Sequence, residues 1–257
     1  MRRALLGLLI LLGAAAAAPF DPFARAGIDE HPGTRIPLDV AVTSETGAKG
    51  PLKAPASGEP ILLVPVLHDC PNLCGVTLDG LAAAMRAANL QGDRDARVIA
   101  FGIDPRESPA DARRALARLA ERHPETAGRF HGTVSDGQAI RAVTDALGYR
   151  FAYDPRIGQY AHAAAIAVLT PDGRFSRWLY GLAPEPADLR AALAEARAGR
   201  TGGWGRRLVL LCYHYDPATG RYSLAIDWLL RGAGLLTAAG LLVYVLAARR
   251  GERPSAR

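Results

Sequence analysis

Two of the chain's three cysteines stand four residues apart, in the stretch Cys70-Pro71-Asn72-Leu73-Cys74. They follow a continuous apolar run, Ile61 to Leu67, and precede apolar residues at helical spacing, Val76, Leu78, Leu81, Ala82 and Met85. Both thiols therefore fall where a buried strand hands over to a helix. Backbone N–H groups and the positive end of the helix dipole favour the thiolate there, the nucleophilic and metal-binding form of cysteine. The spacing brings the sulfurs onto neighbouring turns, close enough to share a metal ion or, with some adjustment, a disulfide.

The six histidines supply candidates for a third donor. His162 stands directly before the apolar strand Ala163 to Thr170, after a stretch that reads as a flexible loop, Asp154 to Tyr160. In a parallel-sheet domain that lip of the sheet can face the loop carrying Cys70 and Cys74. Two thiolates and an imidazole make a soft, low-coordinate site suited to Cu(I), with room for Cu(II), whereas hard cations find too few oxygens. Zinc accepts the same donors, but a structural zinc takes four protein ligands and three good ones are present. A histidine simply packed at a strand end is the alternative. His68, two residues before Cys70, either tunes the thiols or binds metal, or is a solvent-exposed loop residue. His31, His123 and His131 read as structural or solvated. Asp69 and Asp104 can bias copper or thiol chemistry, although Asp104-Pro105 reads as a turn.

The elements that must position these groups follow in order. Ile36 to Val42 alternates and reads as an edge strand, with Ser44 to Gly47 as a hairpin turn; its prolines fit an edge. Ile61 to Leu67, apolar without alternation, is expected to be a central strand buried on both faces. A helix from about Gly75 to Asn89 and a strand, Arg97 to Ile103, come next. Ser108-Pro109-Ala110-Asp111 opens a helix to about Arg122 with an N-cap, a first-position proline and a first-turn acid. Phe130 to Val134 is a short strand, and Ser135 to Gln138 has a capping-box pattern for a helix ending near Gly148. Strands Ala163 to Thr170 and Arg174 to Tyr180 join at Pro171-Asp172-Gly173, and a helix from Pro186 to Ala198 closes the domain. This α/β order, with the cysteine pair at the start of the first helix and at the C-terminal end of a strand, is expected to give a thioredoxin-like fold.

With 257 residues, 49% of them hydrophobic and 22% charged, the chain can bury one sizeable core plus appendages. Two arginines at the start and four arginines against one glutamate at the end account for +5 of the net +6, so the body is nearly neutral. A basic footprint for nucleic acid should lie on the folded domain, so no nucleic-acid partner is expected. Arg2-Arg3 followed by the apolar run Ala4 to Ala18 has the layout of a signal peptide over 1–18, cleaved or retained as an N-terminal anchor. Residues 231–248 are just long enough to span a bilayer, and Arg249-Arg250 place the tail 249–257 in the cytoplasm; a buried core helix is the alternative. The expectation is a domain over 28–198 facing the periplasm of a bacterial inner membrane, a juxtamembrane linker over 199–230, and a C-terminal transmembrane helix. Cys212 and His214 lie in that linker, as candidate metal holders or as part of a Tyr- and Trp-rich interface segment. In an oxidising compartment Cys70 and Cys74 close to a disulfide unless a metal or a dedicated reductant holds them open.

Val64 to Leu81 with its Cys-Pro-Asn-Leu-Cys-Gly, Asp104-Pro105-Arg106-Glu107-Ser108-Pro109, Phe130-His131-Gly132, and Tyr160-Ala161-His162 before a strand ending in Pro171-Asp172-Gly173 closely resemble the Sco/SenC family. The resemblance covers about residues 30 to 200 in consistent order. It implies a membrane-tethered thioredoxin-like protein that binds one copper through Cys70, Cys74 and His162 and assists copper-site assembly in cytochrome c oxidase. Two features depart from the family. Ala163 follows the histidine where the family usually has Ser, removing any hydroxyl at that place, and the tether is C-terminal where many members carry an N-terminal anchor.

A two-thiolate, one-imidazole site can hold Cu(I) and release it by ligand exchange, because an acceptor thiolate can enter the open position before a donor leaves. The expected partners are the copper-bearing subunit of cytochrome c oxidase and a periplasmic copper donor or thiol reductant. A thiol-disulfide oxidoreductase that reduces the cysteines of an apo copper site needs Cys70 and Cys74 as a redox pair but not His162. A redox or copper sensor is a third reading. A peroxidase is disfavoured, since a CxxxC pair beside a metal-capable histidine is not a single peroxidatic cysteine.

Overall fold

Ile61–Val66 (β4) is buried along its whole length, and its side chains divide between two cores, as a strand covered on both faces must. The computed structural model describes residues 25–52, 58–69, 74–90, 95–156, 158–202, 215–216, 221–222 and 231–241, with the backbone alone at Cys74, 215–216 and 221–222. The expected signal or anchor at 1–18, the Cys70 and Cys74 side chains, Cys212, His214, most of the linker and residues 242–257 lie outside that description.

A seven-stranded sheet is built around β4. Arg97–Gly102 (β5) runs parallel to it, and Phe130–Val134 (β6) runs parallel to β5. Beyond β6 lies the hairpin of Ala41–Ser44 (β2) and Lys49–Pro51 (β3). On the other side Ala165–Leu169 (β10) pairs antiparallel to β4, and Phe175–Tyr180 (β11) antiparallel to β10. Gly27–Ile28 (β1) pairs with Tyr149–Arg150 (β7), and Ala152–Asp154 (β8) with Gln159–Ala161 (β9), in two small ribbons.

The helices cover both faces. Cys74–Ala87 (α1), Pro109–Arg122 (α2) and Pro186–Arg197 (α4) bury Leu78, Leu81, Met85, Leu119, Leu189 and Leu193 with Leu62, Val64 and Val66 of the sheet. Gly137–Leu147 (α3) covers the other face, where Ile140, Val143 and Leu147 meet Leu63, Ile99, Phe101, Phe175 and Trp178. The result is the expected three-layer α/β arrangement. Residues 231–241 form a helix (α5), on which Leu235, Leu236 and Leu241 are well exposed. Among the described residues no helix is long and apolar enough to cross a membrane.

Three local expectations change. Of the alternating run Ile36 to Val42 only Ala41 and Val42 enter the sheet, in a strand that continues to Ser44, the residue expected to open the turn. Pro37 lacks an N–H to continue the ladder, and Ile36 and Leu38 are buried in the core from an irregular arm that is pinned by Ile36 N donating to Gly173 O at 2.9 Å. Asp136 rather than Ser135 caps α3: its Oδ1 accepts from Gln138 N at 2.9 Å and Ala139 N at 2.8 Å. A carboxylate is the stronger acceptor at a helix N-terminus. Finally, Asp154 to Tyr160 includes parts of both strands of the β8–β9 ribbon rather than a flexible loop, with Arg156 clamped on Asp154 at 2.8–3.0 Å. At the end of α3, Gly148 has φ +66°, and a Cβ there would stand 1.7 Å from Asp29 O, so the turn into β7 requires glycine.

Candidate metal centre

The direction of β10 decides where His162 sits. A strand parallel to β4 would begin at the edge where β4 begins, far from the cysteine loop. Because β10 is antiparallel, pairing Ala167 with Leu63 and Leu169 with Ile61, its start lies at the edge where β4 ends. The parallel direction expected from the sequence is thus replaced by antiparallel pairing, and it is this pairing that brings His162 to the edge where β4 ends. The same edge receives Leu67, His68 and Asp69, which lead into the cysteine loop, and α1 leaves it beginning at Cys74.

His162 is partly buried. Its Nδ1 lies 2.9 Å from the hydroxyl of Tyr149 and 3.2 Å from Ala163 O, and the Tyr149 hydroxyl donates to Ala163 O at 2.6 Å. Burial lowers the His162 pKa, opposed by the Ala163 carbonyl, so the ring is held in the neutral form that a metal requires. The hydroxyl that Ala163 lacks is thus present from another element. Tyr149 gave no signal in the sequence beyond standing directly after a helix-ending glycine.

His68 is not a solvated loop residue: it is 2% exposed. Its Nε2 donates to Thr133 O at 3.0 Å, a carbonyl being an acceptor only, and its own carbonyl accepts from Arg118 at 3.2 Å. The ring occupies a slot left by two glycines. A Cβ at Gly102 would stand 3.1 Å from the ring and one at Gly132 3.6 Å. Burial lowers its pKa, so the ring is a neutral bolt tying the end of β4 to β6. His123 lies 3.4 Å from Asp79 and 3.6 Å from Glu125, and His131 sits on β6.

Glu107 was missed as a site residue. Its Oε1 accepts from Asp69 N at 2.9 Å, which fixes the entry to the cysteine loop. Burial, with the charges of Asp104 and Asp111 adding, pushes its pKa up to about 7 against the opposing backbone N–H groups of Asp69 and His68. The only hint in the sequence was its place in the loop after the strand next to β4, where sheets of this type carry their sites. Asp104 is the expected turn residue. Burial works to raise its pKa, but the Arg106 guanidinium, at 2.6–3.0 Å, prevails and holds it below the ordinary carboxylate range. Arg106 also lies 4.9 Å from the Tyr153 ring centroid and 5.7 Å from that of Tyr160, so the loop after β5 is stacked on the ribbon that leads to His162.

Cations face the N-terminal part of α1. Arg122, paired with Asp79 at 2.9 and 3.0 Å, lies 3.8 Å from where a Cβ on Gly75 would be, and Arg118 reaches the His68 carbonyl. Among the described residues no cluster of three or more His, Cys, Asp or Glu side chains could hold a metal. His162 stands at the edge where the cysteine loop begins, and the other members of the expected donor set, Cys70 and Cys74, have side chains outside the description.

Comparison with known proteins agrees with this architecture. A sequence model of the family described as SCO1/SenC matches residues 48–197. Among solved structures, a candidate electron transfer protein from Aquifex aeolicus VF5 is 20% identical with a TM-score of 0.55, over 65% of this chain and 95% of that one. A SCO1/SenC family lipoprotein from Bacillus anthracis str. Ames is 13% identical, TM-score 0.52, over 64% and 96%. BsSco, a member of the Sco family of cytochrome c oxidase assembly proteins, is 18% identical, TM-score 0.51, over 66% and 98%. These likenesses show the fold, which is thioredoxin-like. A search of curated proteins finds no match.

Proposed function

The chain belongs to the SCO1/SenC family, and from that premise we propose that it is a membrane-tethered copper chaperone for the copper site of cytochrome c oxidase, holding its cargo through Cys70, Cys74 and His162. The observation that carries the reading is the antiparallel placement of β10, which sets a neutral, hydrogen-bonded imidazole at the edge where the cysteine loop begins. Two thiolates and an imidazole match Cu(I) and leave a coordination position through which an acceptor's donor atoms can enter. This chain's residues contribute the rest: His68 and Glu107 fix the loop entry, Arg106 ties the neighbouring loop to the histidine ribbon, and Arg118, on the His68 carbonyl, brings a positive charge to the loop entry.

The tether belongs to the same proposal. The exposed leucines of α5, 60–77% accessible, call for an apolar surrounding. A helix over the whole of 231–248 would measure about 27 Å at 1.5 Å per residue, close to the roughly 30 Å of a bilayer core. The folded domain then faces the periplasm of a bacterial inner membrane, with Arg249-Arg250 inside.

The position of Cys74 at the start of α1 also supports a second reading, reduction of the oxidised cysteines of an acceptor by Cys70 and Cys74. The two separate in cells lacking this chain and complemented with variants. His162→Ala should fail to restore oxidase activity while keeping thiol exchange with a model disulfide. Full restoration by His162→Ala would overturn the chaperone reading in favour of the reductase.

A further inference from the structure

The hydroxyl of Tyr149 has one proton to give. Ala163 O, an acceptor only, lies 2.6 Å away and takes it. The Tyr149 oxygen can then only accept from His162 Nδ1 at 2.9 Å, and the same N–H leans toward Ala163 O at 3.2 Å. Among the described partners, these three heavy atoms and two protons leave one consistent arrangement, in which Nδ1 carries the hydrogen. The opposite tautomer would set the Nδ1 lone pair against a carbonyl oxygen. Tyr149 is itself closely packed: it is 1% exposed, and its ring lies 5.5 Å from that of Trp178 and 6.4 Å from that of Phe151.

We propose that Tyr149 is the positioning residue of the metal centre, locking His162 in the Nδ1–H tautomer so that Nε2 is the nitrogen presented to the metal. The inference rests on His162 being a ligand for its consequence, but not for its direct readout. Tyr149 takes the part that hydrogen-bonded carboxylates and carbonyls take behind other metal-binding histidines, fixing tautomer and ring orientation together. It supplies from β7 what the residue after the histidine, Ala163, cannot.

The test uses the full copper-free chain in detergent, labelled with 15N in its histidines, with His162 assigned by its loss in His162→Gln. In the parent protein at neutral pH, His162 should show a protonated Nδ1 and an unprotonated Nε2; the reverse pattern overturns the proposal without any variant. Tyr149→Phe keeps the ring packing and removes the hydroxyl. It should mix the two tautomers and weaken Cu(I) binding about ten- to a hundred-fold. An unchanged tautomer, or Cu(I) affinity within about twofold of the parent, overturns it. If His162→Gln itself leaves copper binding intact, the chaperone reading fails while the tautomer measurement still decides the role of Tyr149.

Discussion

Glu107→Gln separates the cost of a buried carboxylate from the hydrogen bond that the carboxylate makes. The native Oε1 accepts from Asp69 N at 2.9 Å, and glutamine keeps an acceptor there. What it loses is the charge, and the Glu107 pKa is pushed up to about 7, chiefly by burial. A group whose folded pKa is raised binds more protons folded than unfolded between its ordinary value and the raised one. Its contribution is therefore fully present below the ordinary glutamate range and is lost as pH rises toward 7. At ~1.4 kcal/mol per pH unit the ceiling is about 3 kcal/mol, and partial exposure of the side chain reduces it to about 1–2 kcal/mol. Urea unfolding of the copper-free, reduced chain at a series of pH values from 4.5 to about 7.5 provides the assay. The variant should match the parent at the acid end and exceed it by that amount at the neutral end. A constant difference across the range, or a variant that loses ground as pH rises, would refute the burial argument.

Gly102→Ala should cost about 1–3 kcal/mol, because its Cβ would stand 2.8 Å from Thr133 O and 3.1 Å from the His68 ring. The urea midpoint checks it, and an unchanged value would mean that the slot is not tight. Asp136→Ala should cost about 1 kcal/mol by removing both N–H acceptances at the start of α3, whereas Ser135→Ala should be near neutral. Equal effects in the two variants would restore Ser135 as the cap.

Much of the fold was legible because its signals are local. The unbroken apolar run at Ile61–Val66, the Ser108-Pro109-Asp111 start, and the Pro171-Asp172-Gly173 turn each dictate an element through nearby atoms. The pairing direction of β10 was not local. A continuous apolar run marks a buried strand without saying which way its neighbour runs, so the edge at which His162 stands was reached with the wrong strand direction. The burial of His68 was not local either: its place in a loop allowed a solvent-exposed reading, but the two glycines that make room for its ring lie on other strands. Glu107 and Tyr149 act through tertiary contacts with Asp69 and His162 that no spacing in the chain encodes.

The central claim is that Cys70, Cys74 and His162 form one copper site. It is tested most directly by anaerobic Cu(I) titration of the full chain in detergent against a competing chelator, comparing the parent with Cys70→Ser and His162→Ala. The account predicts a single copper per chain, weakened about tenfold or more by either change. Absence of tight binding, or binding indifferent to His162, would contradict it.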